Sequence, residues 1–279
     1  MMILAASLLI AFVGITGLAI GSFLNVVVYR VPAGMSVVRP RSACPNCGHE
    51  ITARDNVPVL SWLLLGGKCR SCAERISKRY PLVELAGAAA FVLVAIWAAP
   101  TLSTATDVTT AIAAVLRLVA FLYLAAISVA LAIIDIETHR LPNVIVLPGY
   151  GVGIVLLGVA ALLQGDIAGL IRMAAGAAIL FAFYLLLAII SPRGMGMGDV
   201  KLAGVLGLFL GSLGWGQLAV GAGAAFVLGG LFGVVLMVMK RAGRKSGIPF
   251  GPWMLLGAWI GVFAGQAIAG GYLALVGLL

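Results

Sequence analysis

Two aspartates and four cysteines are the residues of this 279-residue chain whose placement points to chemistry. Asp135 closes an apolar run, Ala132-Ile-Ile-Asp-Ile-Glu-Thr-His-Arg-Leu-Pro-Asn143, and Asp199 stands in Gly194-Met-Gly-Met-Gly-Asp-Val-Lys201. Carboxylates beside apolar stretches are costly and are functional candidates by default. Two of them a few ångströms apart cannot both ionise easily, so one proton is shared and their titrations couple. One carboxylate can then take a proton from water while the other protonates a scissile carbonyl, the logic of an aspartic protease. Gly196 and Gly198 remove bulk beside Asp199 and permit unusual backbone angles, so a peptide backbone could approach closely. Taken singly, each acid has a blander reading. Asp135 could face headgroups from a helix end, and Asp199 could cap a helix N-terminus. A lone GxGD is a weak pattern. Glu137 and His139 read as interfacial residues. Lys201 reads either as a neighbour favouring ionised Asp199 or as a lipid-headgroup contact.

The cysteines form Cys44-Pro-Asn-Cys47 and Cys69-Arg-Ser-Cys72, with 21 residues between the pairs. Two such pairs can converge on a tetrahedral Zn²⁺, the two-residue spacing letting both thiolates of a pair face one ion. Gly48 suits the tight turn of such a knuckle, and His49 is an alternative ligand. Four thiolates leave no open coordination position, so the ion reads as structural. In a segment of about 50 residues with little core it would supply much of the folding energy. Disulfides are disfavoured if the segment is cytoplasmic, where thiols stay reduced.

The elements that must position these residues are membrane helices. Hydrophobic residues make up 63% of the chain and charged ones 10%, with a mean hydropathy of +1.18. A soluble domain of this length needs far more charge. Uncharged runs reach the roughly 20 residues that cross a bilayer as a helix, and strand alternation is absent. The sequence predicts an all-α polytopic membrane protein with eight spans, roughly 3–28, 81–99, 111–134, 143–163, 167–190, 202–213, 217–239 and 252–269. The sixth is short and interrupted by glycine, as helices beside functional cavities often are. The parts are a first helix (1–29), a zinc-binding loop domain with the four cysteines (30–80) and a multi-helix membrane domain (81–279). Nothing basic precedes the first apolar run and Arg30 follows it, which favours an anchor over a signal peptide. The Arg30–Tyr80 loop holds nine Lys and Arg; with Arg140, Arg193, Lys201, Lys240, Arg241, Arg244 and Lys245, 16 of 18 fall on one face, which is thereby cytoplasmic. Arg117 and Arg172 fall near the outer face and read as snorkelling or interhelical polar contacts. The net charge of +9 therefore reflects topology, and no separate basic domain exists for a nucleic acid.

In this order the motifs resemble the type IV prepilin peptidases, GxGD-type membrane aspartyl proteases. The likeness runs through Gly21-Ser-Phe-Leu-Asn-Val-Val-Val-Tyr-Arg-Val-Pro32, the paired CxxC motifs and Asn56-Val-Pro-Val-Leu-Ser-Trp62. It continues through Ile76-Ser-Lys-Arg-Tyr-Pro-Leu-Val-Glu-Leu85, Ile134-Asp135 with Leu141-Pro142, Gly196-Met-Gly-Asp199 and Ile248-Pro-Phe-Gly-Pro252. The resemblance implies that Asp135 and Asp199 form the catalytic pair at the cytoplasmic face of the bacterial inner membrane. It implies prepilin or pseudopilin substrates, cut after a glycine that ends a short basic leader. Members with an intact cysteine loop also methylate the new N-terminal amine with S-adenosylmethionine, and Glu84 is a candidate for that site. Its alternative is a buried interhelical hydrogen bond. A peptidase without methyltransferase activity, a transporter with a zinc-stabilised module and a membrane-anchored interaction module are the competing readings. The transporter would need polar groups near mid-membrane, and the interaction module leaves both aspartate motifs without a purpose.

Overall fold

The structure, a computed structural model, describes residues 2–192, 194–239 and 249–278, with side chains from residue 7 onward. Arg193, Lys240, Arg241, Arg244, Lys245 and Ile248 lie outside the described residues. Among the described residues every regular element is helical. The chain runs α1 (Met2–Arg30), a 3-10 turn (Ala53–Asn56), α2 (Leu60–Leu64), α3 (Arg79–Ser103), α4 (Val108–Thr138) and α5 (Asn143–Val152). A π-helical stretch (Gly153–Leu157) follows, then α6 (Gly158–Leu163), α7 (Ile167–Ile190), α8 (Met197–Leu213), α9 (Trp215–Val238) and α10 (Gly251–Leu275).

Backbone groups in lipid must bond within their own segment, so long apolar runs become helices. Among the described residues seven are long and apolar enough to cross a membrane, and Asn143–Leu163 and Ile167–Ile190 coincide with the expected spans. The expected sixth span is α8. It begins earlier, at Met197, has 17 residues, and is buried at every residue from Leu202 to Gly211. Protein surrounds it, so it need not match the thickness of a bilayer. Short side chains fix the ends. Asp107 accepts from the Thr110 N–H at 3.0 Å to open α4, and Asp166 accepts from the Gly169 N–H at 2.7 Å to open α7. Arg117 and Arg172 make polar contacts, to Gln164 Oε1 at 3.2 Å and to Asp166 at 3.3 Å.

The chain divides into two compact units. The first comprises Met1–Ala105 and Phe121–Ala130; the second comprises Thr106–Ala120 and Leu131–Leu279. In the first, α1 packs along α3 through glycines. A Cβ on Gly17 would stand 2.8 Å from the Ala88 Cα, and one on Gly21 would stand 2.7 Å from the Glu84 Cα. In the second, α7 pairs with α8 and α9 with α10 by the same device. A Cβ on Gly176 would lie 2.5 Å from the Gly207 oxygen, and one on Gly257 would lie 2.6 Å from the Gly221 oxygen. Small residues that admit a neighbouring backbone are the usual means of helix association in lipid.

Candidate active site

Asp135 lies in the last turn of α4 and is 5% exposed. The left-handed His139 (φ 53°) ends that helix, its N–H closing on the Asp135 carbonyl at 2.9 Å. The Asp135 Oδ2 accepts a hydrogen bond from the Gly251 N–H at 3.0 Å. Gly251 is the first residue of α10 and Pro252 the second. The first N–H groups of a helix have no partner inside it, and the positive end of its dipole favours a carboxylate. The start of α10 thus holds Asp135. The fit is close, because a Cβ on Gly251 would stand 2.8 Å from the Asp135 Oδ2.

Asp199 is the third residue of α8. Its Oδ2 reaches back to the N–H of Gly196, at 3.0 Å, so the acid caps its own helix while half-buried. Leu141, itself buried, ties the two helix ends together. Its Cδ2 is 3.2 Å from where a Gly251 Cβ would be, and its Cβ is 2.9 Å from where a Gly198 Cβ would be. Behind them Tyr184, Phe226 and Phe250 form a ring cluster with centroids 5.3 to 6.2 Å apart. Phe250 directly precedes Gly251, so the same start of α10 carries both a carboxylate clamp and an apolar wall.

The glycines before Asp199 take ordinary backbone angles. Gly196 has φ −85° and ψ 157°, extended backbone open to any residue, and Gly198 lies inside α8. What Gly198 supplies is room for Leu141. Lys201 donates to the Asn143 Oδ1 at 3.0 Å, while its carbonyl accepts from the Tyr150 hydroxyl at 2.8 Å. Glu137 and His139 are exposed. Sequence reasoning gave Gly251 no role beyond a motif. A glycine followed by proline at a helix start was the available signal.

In the first unit the four cysteine sulfurs all lie within 4.8 Å of one another, with Cys44–Cys72 at 3.8 Å and Cys47–Cys69 at 4.0 Å. Four thiolates about 2.3 Å from a tetrahedral ion stand about 3.8 Å apart, so the set fits a metal ion. Each pair sits on the same turn. The Cys44 N–H donates to the His49 carbonyl and the Cys69 N–H to the Glu74 carbonyl, at 2.9 and 2.8 Å. Gly48 (φ 69°) and Ala73 (φ 58°) take the left-handed position that follows each pair. Only the first was legible, because the second knuckle places alanine there. His49 is exposed and outside the sulfur cluster.

Glu84 of α3 is 8% exposed, and its Oε2 accepts from the Val59 N–H at 2.7 Å. It borders a cavity of about 650 Å³, together with Asn25, Arg30, Trp62, Tyr80 and Cys69.

Fold and site define a class: a multi-pass helical membrane protein with two aspartates at its helix ends and a four-cysteine cluster that could hold a metal ion. Comparison with known proteins narrows it. A family model described as the bacterial peptidase A24 N-terminal domain matches residues 15–98, and one described as the type IV leader peptidase family matches residues 122–234. A prepilin leader peptidase/N-methyltransferase of Aeromonas salmonicida is 34% identical, over 93% of this chain and 92% of its own. Its counterpart in Pseudomonas aeruginosa is 34% identical over 94% and 92%. A type 4 prepilin-like proteins leader peptide-processing enzyme of Escherichia coli O78:H11 is 35% identical over 91% and 92%. No solved structure matches. The chain belongs to the type IV leader peptidase family.

Proposed function

We propose that this protein is an aspartyl endopeptidase of the bacterial inner membrane that removes the leaders of prepilins or pseudopilins at the cytoplasmic face, with Asp135 and Asp199 as its catalytic pair. The observation that carries this reading is the seating of the two acids: Asp135 is buried and held by the Gly251 N–H at the start of α10, Asp199 stands in the first turn of α8, and Leu141 packs against both helix starts. Two carboxylates at one edge share a proton, which we place on Asp199. Asp135, fixed by the Gly251 N–H, takes a proton from water as the water oxygen attacks the carbonyl carbon after the leader glycine. Asp199 gives its proton to the carbonyl oxygen. When the tetrahedral carbon collapses, the C–N bond breaks, the amine nitrogen leaves with the proton from Asp135, and one hydroxyl of the carbon returns its proton to Asp199 as the new carboxyl group forms. Gly196 and Gly198 keep side-chain bulk away from this edge. A substrate whose apolar helix lies in the bilayer beside the enzyme presents its leader junction at that depth.

The new N-terminal amine is then the acceptor of a methyl group. S-adenosylmethionine supplies an electrophilic methyl when bound. The residue of this chain suited to the step is Glu84. One of its oxygens is committed to Val59, and the carboxylate borders the 650 Å³ cavity, where it can take the proton that the ammonium must lose. Cys44, Cys47, Cys69 and Cys72 hold Zn²⁺, which shapes the module and takes no part in either reaction.

Co-expression with a prepilin, followed by intact mass and N-terminal analysis of the product, tests both activities. Cleavage after the leader glycine that is lost in Asp135→Asn and in Asp199→Asn supports the acid pair; cleavage surviving in both overturns it. Glu84→Gln should cut normally and leave the product without its methyl group. A wild-type product that is cut but unmethylated rejects the second activity alone.

A further inference from the structure

We infer that residues 57–65 form a re-entrant segment whose leucines sit among lipid acyl chains beside α3, so the cysteine-bearing loop is seated in the membrane surface rather than suspended above it. The surface of α2 does not suit water. Leu60, Leu63 and Leu64 are 51%, 61% and 77% exposed, side by side on a helix of five residues. The loop around them is otherwise rich in charge. Exposed apolar patches of this kind mark a protein or membrane contact.

The depth of Glu84, measured along both helices that flank it, argues for lipid as the contact. The Val59 N–H, directly before α2, is bonded to Glu84 at 2.7 Å, and Glu84 lies five residues inside α3, which starts at Arg79. At 1.5 Å per residue that is about 8 Å past the start of a membrane helix. On the other side Glu84 meets α1 at Gly21, nine residues before the end of α1 at Arg30, or about 14 Å down that helix. Both measures set Glu84, and the Val59 N–H bonded to its carboxylate, inside the helix ends and below Lys78 and Arg79. On α3, Leu82 and Leu85 flank Glu84 and are themselves exposed, as residues facing lipid are. The leucines of α2 extend that lipid-facing surface.

The hydrogen bonding within the segment suits the same setting. Backbone at membrane depth must find partners in protein. The buried Ser61 hydroxyl accepts from the Val57 N–H at 3.0 Å and donates to the Arg54 carbonyl at 2.8 Å. The Trp62 indole donates to the Ile76 carbonyl at 3.1 Å. Glu84 satisfies Val59, a left-handed valine (φ 60°) that would not hold this conformation without support. Glu84 is thus a positioning residue for the loop, whatever it does for an amine. This stands independently of the proposed reactions.

The wild-type chain, reconstituted in phosphatidylcholine–phosphatidylglycerol nanodiscs, carries p-benzoylphenylalanine in place of one residue at a time and is irradiated. Leu64 is the test position, with Leu63 substituting if that variant accumulates poorly. Leu85 on α3 is the lipid-facing control, and the exposed Arg41 is the aqueous one. Phospholipid adducts at position 64 should come within about twofold of those at 85 and exceed those at 41 by about tenfold, as for a side chain in the acyl region. Adducts at 85 but none above the level of 41 at position 64 overturn the inference. Glu84→Gln, whose amide oxygen still accepts from Val59, should keep the adduct; Glu84→Ala should lose most of it. Retention of the full adduct in Glu84→Ala overturns the tether.

Discussion

The two units reach their chemistry by opposite routes. The cysteine module is built from near neighbours: two knuckles of a few residues each, whose sulfurs meet while most of the side chains around them stay exposed. The acid site gathers residues 135, 199 and 251 from the ends of three helices and walls them with Leu141 and a ring cluster. On the proposed reading, one owes its shape to a ligand and the other to helix packing. The first should fail when an ion is taken away, and the second only when a carboxylate or its clearance is changed.

Metal removal draws the sharpest contrast. Structural zinc contributes about 10 to 16 kcal/mol in small modules, more than such a module gains from its own contacts. Stripping the ion with a strong chelator should expose Arg54, Arg70 and Arg75 to trypsin while α7 through α10 remain resistant. Elemental analysis alongside should find about one zinc per chain before treatment. A loop that stays protease-resistant when free of metal would show that both units are held by packing.

The next effect is in the acid pair. Asp199→Asn and Asp135→Asn should each lower cleavage by about a thousandfold or more, the worth of a positioned acid or base, without loss of helical signal. Initial rates on a prepilin in detergent and circular dichroism read the two. Undiminished cleavage in either variant would take that acid out of the pair.

How far the sequence disclosed these arrangements follows from how local each one is. The spans, the cysteine pairs and the left-handed Gly48 are properties of short stretches, and each was legible as such. Asp135 and Asp199 announced themselves by lying next to apolar runs. Gly251 did not, because its purpose exists only once α10 starts beside the end of α4, and no spacing encodes that meeting. That Gly198 gives clearance was legible, but not for which side chain, because its neighbour Leu141 is 57 residues away. Lys201 likewise was weighed against its sequence neighbour Asp199, yet its ammonium found Asn143. The early start of α8 was hidden because helix ends flanked by glycine carry little periodic signal.

A methyl group at position 251 separates clearance from charge. Gly251→Ala keeps the N–H donor but puts a carbon 2.8 Å from the Asp135 Oδ2 and 3.2 Å from the Leu141 Cδ2. The carboxylate or the helix start has to shift. A displacement approaching an ångström at a reacting group costs about a hundredfold in rate, so kcat/KM should drop by about that much with the pH dependence unchanged. Gly198→Ala presses on Leu141 rather than on an acid and should cost about tenfold. Equal losses from the two would place the packing contact, not the N–H clamp, in control of the site.

The smallest effect tests the module by backbone strain alone. Gly48 and Ala73 occupy matching positions after the two cysteine pairs, at φ 69° and 58°. An L-residue in this region costs about 1 to 2 kcal/mol, and glycine avoids that while giving up some entropy in the unfolded chain. Ala73→Gly should therefore leave about 0.5 to 1 kcal/mol of net gain, seen as metal held about threefold more tightly in competition with a chelator. Gly48→Ala should shift the same competition the other way by a similar factor, since nothing within 4 Å would obstruct its Cβ and strain is the whole cost. Because the ion and the fold of the module are coupled, a backbone change far smaller than a lost ligand is still read out as metal affinity. The packed acid site has no such ligand to report on its strain, and there a change of similar size would be visible only in rate.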